Sequence, residues 1–69
     1  MREWLKTLRI EKCLTMKEVA TKLGISESYY CAIENGERQK RMDITIAAGL
    51  SAILGTPLAW IAEQEEQLQ

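Results

Sequence analysis

The stretch MKEVATKLGISESYYCAI, residues 16–33, decides how this chain folds. It contains two short helical patterns separated by a turn at residues 24–26. Thr15 precedes the first pattern and Glu18 follows three residues later, which is the spacing of a capping box. The turn begins with a glycine, which accepts a positive φ, and ends with a serine, which is suited to cap the second helix. The stretch therefore predicts two helices joined by a tight turn.

Apolar or small residues recur on one side of both predicted helices: Val19, Ala20, Leu23, Ile25, Tyr30 and Ile33. This spacing lets the two helices meet on a shared apolar face while they cross at a steep angle. Ala20 is small enough to keep the helices close together. The pattern is that of a helix-turn-helix unit.

The length of 69 residues allows one domain with one modest core. Cys13 and Cys31 lack the CxxC spacing of a zinc site, and the chain contains no histidine. We therefore expect free thiols and no metal site. No apolar run approaches the ~20 residues needed to span a bilayer. The charged N-terminus does not resemble a signal peptide. The composition predicts a soluble, cytoplasmic protein without a membrane partner.

The formal net charge is −1, from 9 basic and 10 acidic residues, which argues mildly against a nucleic-acid partner. Three of the acidic residues lie close to the C-terminus, and Arg38, Lys40 and Arg41 cluster just after the second helix of the pair. Local charge decides where a phosphate can dock, so the balance permits DNA binding.

Five helices and no strand are predicted for the whole chain. We expect a helical domain over residues 1–62 and a polar acidic tail over 63–69, with helices at about residues 2–12, 16–23, 27–35 and 44–54 and a last one through Trp60. Cys13 ends the first helix where glycine would be easier. Gly49 lowers helix propensity by about 1 kcal/mol relative to Ala, which points to a close backbone approach.

The segments LRIEKCLTMKEVATKLGIS, IENGER and AILG together resemble the lambda-repressor/Cro-like helix-turn-helix proteins, often called the Xre family. The similarity runs from about Leu5 to Ile61. It implies an all-α, compact five-helix domain whose third helix enters the DNA major groove. It also implies a repressor or Cro-like regulator of phage or mobile-element type. Such a regulator binds a two-fold operator in double-stranded DNA as a homodimer.

The resemblance assigns base-reading positions to the outward, N-terminal part of helix 3: Glu27, Ser28 and Ala32, with Tyr29 at the margin. Ser28 can bond several bases and Glu27 can accept from cytosine N4. Glu27 can equally serve the helix dipole alone. Tyr29 is otherwise an ordinary exposed aromatic, and Ala32 either touches a thymine methyl or contributes nothing.

Phosphate contacts are assigned to five polar residues, whose alternative role is a solvated surface: Lys17, Asn35, Arg38, Lys40 and Arg41. Met16 stands where family members commonly have a glutamine, and a thioether cannot donate to phosphate. The family also pairs an arginine in helix 1 with the glutamate of ENG, here Arg9 with Glu34. A bidentate pair would clamp helix 1 to helix 3, whereas an exposed pair would contribute under about 1 kcal/mol.

Two functions from different classes remain open. The first is a DNA-binding regulator without catalytic residues or cofactors, since no histidine, activated nucleophile or phosphate-binding glycine loop is present. The second is a module of the same fold that binds a partner repressor or toxin, as an antirepressor or antitoxin does. For the homodimer, the apolar candidates are Leu58, Trp60, Ile61 and Leu68, whose alternative role is packing inside the monomer.

Overall fold

The computed structural model describes residues 1–67 and contains five α-helices and no strand within that range. The helices are α1 (Glu3–Glu11), α2 (Met16–Leu23), α3 (Glu27–Asn35), α4 (Ile44–Leu54) and α5 (Leu58–Gln67). This confirms the all-α, five-helix architecture of the lambda-repressor-like fold. None of the helices formed by residues 1–67 combines the length and apolar character needed to cross a membrane.

The helix-turn-helix unit is built from the caps that the sequence predicts. The Thr15 hydroxyl accepts from the Glu18 amide at 3.1 Å, and the Glu18 carboxylate accepts from the Thr15 amide at 2.8 Å. These two hydrogen bonds lower the pKa of Glu18. The Tyr29 amide donates to the Ser26 hydroxyl at 3.1 Å, and Gly24 takes the left-handed conformation at φ 75°. Local capping therefore fixes where α2 ends and α3 begins.

One hydrophobic core joins all five helices. It consists of Leu5, Val19, Ala20, Tyr30, Ile33, Ala47, Leu50, Leu54 and Ile61. The α2 helix packs against both α3 and α4, while α1 packs on α3 and α5 on α4. Trp4 and Trp60 meet edge to face, with ring centroids 5.8 Å apart. The helix-turn-helix pair is thus supported from both sides by the remaining helices.

Two backbone positions that stand out in the sequence have clear structural causes. Cys13 ends α1 at φ 57°, in the left-handed region where glycine is preferred. Gly49 lies where α4 crosses α2, and a Cβ added there would stand 2.7 Å from Cδ2 of Leu23. The neighbour at Gly49 is therefore a side chain, that of Leu23, rather than the backbone approach that we expected.

The C-terminal part of the chain differs from the polar tail that we expected. The α5 helix continues through Gln67, and the Glu65 side chain is only 14% exposed. The physical reason is that Glu65 lies four residues after the buried Ile61, on the same side of the helix, where it meets buried hydrogen-bond donors. Leu68, named as a possible dimer residue, lies outside the described residues.

Candidate nucleic-acid interface

The first turn of α3 presents two of the four residues assigned to base reading. Glu27 and Ser28 are exposed, directly after the Ser26 cap. Ala32 and Tyr29 are half-buried, so each offers only part of its side chain to a ligand. Tyr30, the neighbour of Tyr29, is fully buried in the core as predicted. The outward surface of α3 is therefore narrow and centred on its N-terminal turn.

Tyr29 is held by the segment that follows α3. Its hydroxyl accepts a hydrogen bond from the Gln39 side-chain amide at 2.7 Å. The other end of the same amide accepts from the Asp43 backbone N–H at 2.7 Å. Gln39 thereby connects α3 to the start of α4, and the Tyr29 hydroxyl keeps its own proton free for a further acceptor.

The basic segment of residues 37–42 starts from the end of α3. The amides of Glu37 and Arg38 both donate to the Ala32 carbonyl, at 2.9 and 3.2 Å, after Gly36 has reversed the chain at φ 81°. Gln39 has a positive φ of 54°, which is uncommon for a residue with a side chain. The segment is therefore turned tightly rather than extended.

All five residues assigned to phosphate binding are exposed, but they face different parts of the surface. Lys17 lines a shallow recess on the outside of α2. Lys40 borders a recess beside Gly36 and the N-terminus, whereas Arg41 borders the groove between α4 and α5. The amide of Asn35 donates to the Cys31 sulfur at 3.6 Å. Adjacent residues of the basic segment are thus directed to two separate surfaces.

The ion pair expected between helix 1 and helix 3 is present and is buried. Arg9 donates from Nε to Glu34 Oε2 at 2.8 Å and from Nη2 to Glu34 Oε1 at 3.4 Å. A third Arg9 bond, from Nη1 to the Leu14 carbonyl at 3.0 Å, reaches the chain between α1 and α2. The hydrogen bond to Glu34 raises the pKa of Arg9. Burial, followed by the neighbouring Glu34 carboxylate, raises the pKa of Tyr30, which stays neutral.

A second buried arginine was missed by the sequence analysis. The side chain of Arg2 is 2% exposed and forms an ion pair with Glu65 at 2.9 Å. It also donates to three backbone carbonyls, those of Ile33, Arg38 and Gln39. A signal for this role does exist in the sequence. Arg2 precedes the core residue Leu5 by three positions, the spacing of residues on one side of a helix, and it lies directly before α1 in the structure.

An apolar groove of about 620 Å³ lies between the start of α4 and α5. Its exposed large apolar residues are Ile44, at 68%, and Leu58, at 38%. Of the residues suggested for a dimer that lie within residues 1–67, only Leu58 lines it as an accessible side chain. Ile61 is fully buried in the core, and Trp60 is half-buried against Trp4. The accessible apolar surface is therefore centred on Ile44 and Leu58.

A capped helix pair with an exposed first turn on its second helix defines the helix-turn-helix class, and the family comparison agrees. A family model described as helix-turn-helix matches residues 5–61. The chain belongs to this family. The match covers the same range over which the sequence resembles the lambda-repressor/Cro-like proteins.

A relative in Bacillus subtilis (strain 168), named as an uncharacterized HTH-type transcriptional regulator, YqaF, is 43% identical over 49 residues. The alignment covers 71% of this chain and 64% of the relative. The chain thus matches a little under two thirds of that protein's length. No solved structure matches the chain at a significant level.

Proposed function

We propose that the chain is a sequence-specific DNA-binding transcriptional regulator, a repressor or Cro-like switch protein, that places α3 in the major groove of its operator. The observation that carries the proposal is the exposed first turn of α3, with Glu27 and Ser28 exposed directly after the Ser26 cap. In this motif the N-terminal residues of the second helix reach base edges. The name of the Bacillus relative supports the same class of function.

Phosphate contacts are proposed for five exposed residues of α2, the end of α3 and the segment after it: Lys17, Asn35, Arg38, Lys40 and Arg41. Such contacts position the protein on the duplex without reading sequence. The backbone amides at the start of α2 take the place of the missing glutamine at Met16, since a helix N-terminus binds anions. We propose no catalytic activity, and we place the protein in the cytoplasm, where it would meet operator DNA.

The test starts with selection of bound sequences from a random DNA pool, followed by a salt titration on the selected site. Each neutralised phosphate contributes about −0.9 to the slope of log K against log salt. Four of the five candidates are cations, Lys17, Arg38, Lys40 and Arg41, so the predicted slope is about −3.6 per protomer. Arg41→Ala is expected to weaken all sequences alike and to make the slope shallower by about 1. Lys12→Ala, at an exposed cation after α1, is the matched control and should change neither quantity.

The double variant Glu27→Ala with Ser28→Ala is expected to change which operator bases are tolerated, because both side chains reach toward base edges. If it weakened every site equally, as Arg41→Ala does, the base-reading assignment would be wrong. Absence of DNA binding at low salt, together with tight binding to a cognate repressor, would favour the alternative of a protein-interaction module. The observations that favour this alternative are Met16, a thioether at the start of α2, and Glu27, an exposed acidic residue at the start of α3.

The proposed operator-binding form is a homodimer that closes over the groove between α4 and α5. A two-fold interface uses the same patch on both subunits, so this patch must be self-complementary. In support of this patch, its exposed large apolar residues, Ile44 and Leu58, are flanked by both a cation, Arg41, and an acidic residue, Glu66. With two protomers, operator half-sites are expected about 34 Å apart.

A further inference from the structure

We propose that Arg2 is a positioning residue that holds the segment of residues 37–42 in its DNA-contacting shape and ties that segment to α5 through Glu65. This inference rests on the proposed DNA-binding function. Arg2 itself is not a DNA contact, because only 2% of its side chain is exposed. It acts through the backbone of the segment that carries Arg38, Lys40 and Arg41.

The guanidinium of Arg2 uses all of its hydrogen-bonding capacity. Nη1 donates to the carbonyls of Ile33 and Arg38, the latter at 3.2 Å, and Nη2 donates to the carbonyl of Gln39. Nε and Nη2 each donate to the Glu65 carboxylate at 2.9 Å. These are five bonds from a group that has five N–H donors in one plane. A planar group with every donor engaged fixes the relative positions of its partners.

Two of the fixed partners belong to the basic segment. The Gln39 carbonyl is held by Arg2 while Gln39 has a φ of 54°, so the bond supports a backbone conformation that is otherwise unfavourable. The Gln39 side chain then bonds the Tyr29 hydroxyl at 2.7 Å. A continuous set of contacts thus runs from Arg2 through Gln39 to the outward side of α3.

Glu65 holds the other side of the guanidinium. Its carboxylate accepts from Arg2 twice and from the Trp4 indole N–H at 3.2 Å. Without this carboxylate the buried Arg2 charge would face only neutral carbonyl groups, which is unfavourable for a buried ion. Glu65 also lines the groove proposed for the dimer. The same side chain therefore contacts both the proposed dimer surface and the residue that holds the basic segment.

The experiment compares Glu65→Gln with Glu63→Gln, whose side chain is exposed on the same helix. Both changes remove one negative charge and keep the side-chain size, so long-range electrostatics predicts unchanged or tighter DNA binding for both. We expect Glu65→Gln, but not Glu63→Gln, to weaken DNA binding. Its affinity for the selected operator should fall about tenfold, and its salt slope should become shallower by about 1, as phosphate contacts are lost.

Amide hydrogen exchange without DNA gives an independent measurement. In Glu65→Gln, exchange is expected to accelerate about tenfold in residues 37–42 and to stay unchanged in the core of α2, because only the segment loosens. A general loss of stability would instead accelerate exchange throughout and leave the salt slope of the folded protein unaltered. Arg2→Lys provides a second variant that keeps the charge but cannot reach all five acceptors, and it should behave like Glu65→Gln.

The possible results separate the two proposals. If Glu65→Gln and Arg2→Lys match Glu63→Gln in segment exchange and in salt slope, the role assigned to Arg2 is overturned while DNA binding by the wild-type protein still stands. If the wild-type protein binds no DNA at low salt, both the proposed function and the positioning role fail. Faster segment exchange together with a shallower slope in both variants supports the role.

Discussion

Cys13 is the residue at which the chain departs most visibly from favourable local chemistry. Its φ of 57° lies in the left-handed region, where a Cβ costs about 1–2 kcal/mol. The bend is nevertheless needed, because α1 must end there and return toward α2. The Leu14 amide, directly after it, donates to the Arg9 carbonyl at 3.1 Å and completes the helix end. The conformation at Cys13 is therefore imposed by its surroundings.

Cys13→Gly is expected to raise the free energy of unfolding by about 1 kcal/mol, because glycine removes the Cβ strain. The greater freedom of glycine in the unfolded chain offsets part of this gain. Urea denaturation at fixed protein concentration measures this change. Cys13→Ala keeps the Cβ and removes the thiol, so it should leave stability unchanged. Equal stabilisation by both variants would show that the thiol, rather than the backbone, is unfavourable.

The contact between α2 and α4 matters at the scale of helices, because α2 carries the turn that presents α3. Gly49 permits the close approach, since a Cβ there would lie 2.7 Å from Leu23 Cδ2. A methyl group at this position would add about 1 kcal/mol of helix propensity and would cost about 1–3 kcal/mol of overpacking. The packing cost is expected to be the larger of the two.

Gly49→Ala is therefore expected to lower the free energy of unfolding by about 1 kcal/mol. In a Leu23→Ala background the clash is absent, and the same change should raise stability by about 1 kcal/mol. Ala48→Gly, at an exposed position of the same helix, measures the propensity effect alone. The packing argument would be contradicted if Gly49→Ala had the same effect in both backgrounds.

Helix ends could be predicted because their signals are local. The caps at Thr15 with Glu18, at Gly24 and at Ser26 act within a few residues of themselves, and each is present in the structure. The Arg9–Glu34 pair came from the family resemblance. The DNA-contacting roles of Glu27, Ser28, Tyr29 and Ala32 and of the phosphate candidates stay predictions.

The Arg2 contacts could not be predicted in full, for a physical reason. Three of its acceptors are backbone carbonyls, at Ile33, Arg38 and Gln39, which exist in every residue and leave no trace in a sequence. The remaining two acceptor atoms belong to the Glu65 carboxylate, and Glu65 stands in a run of polar residues that looks solvated. The available signal was a charged residue, Arg2, three positions before the core residue Leu5. That Glu65 is its partner becomes evident only from the folded structure.

At the scale of the whole molecule, Ile44 is the residue that tests the proposed homodimer. Ile44→Glu is expected to raise the dimer dissociation constant at least about tenfold, because burial of an isoleucine is worth about 1.5–3 kcal/mol. Sedimentation equilibrium measures the constant. Ile10→Glu is the matched control, since Ile10 is 55% exposed on α1, outside the groove. A dimer weakened by Ile10→Glu alone would place the interface on α1.

The contact between Arg2 and Glu65 joins residues 63 positions apart, which gives the protein a definite order of assembly during synthesis. Domains commonly begin to fold while the chain is still leaving the ribosome. The caps of α2 and α3 use residues within that pair, but both helices are short and depend on the core shared with the other helices. The guanidinium gains its carboxylate only after α5 has followed. A nascent chain that stops short of Glu65 would lack the carboxylate that secures Arg2, and through Arg2 the basic segment.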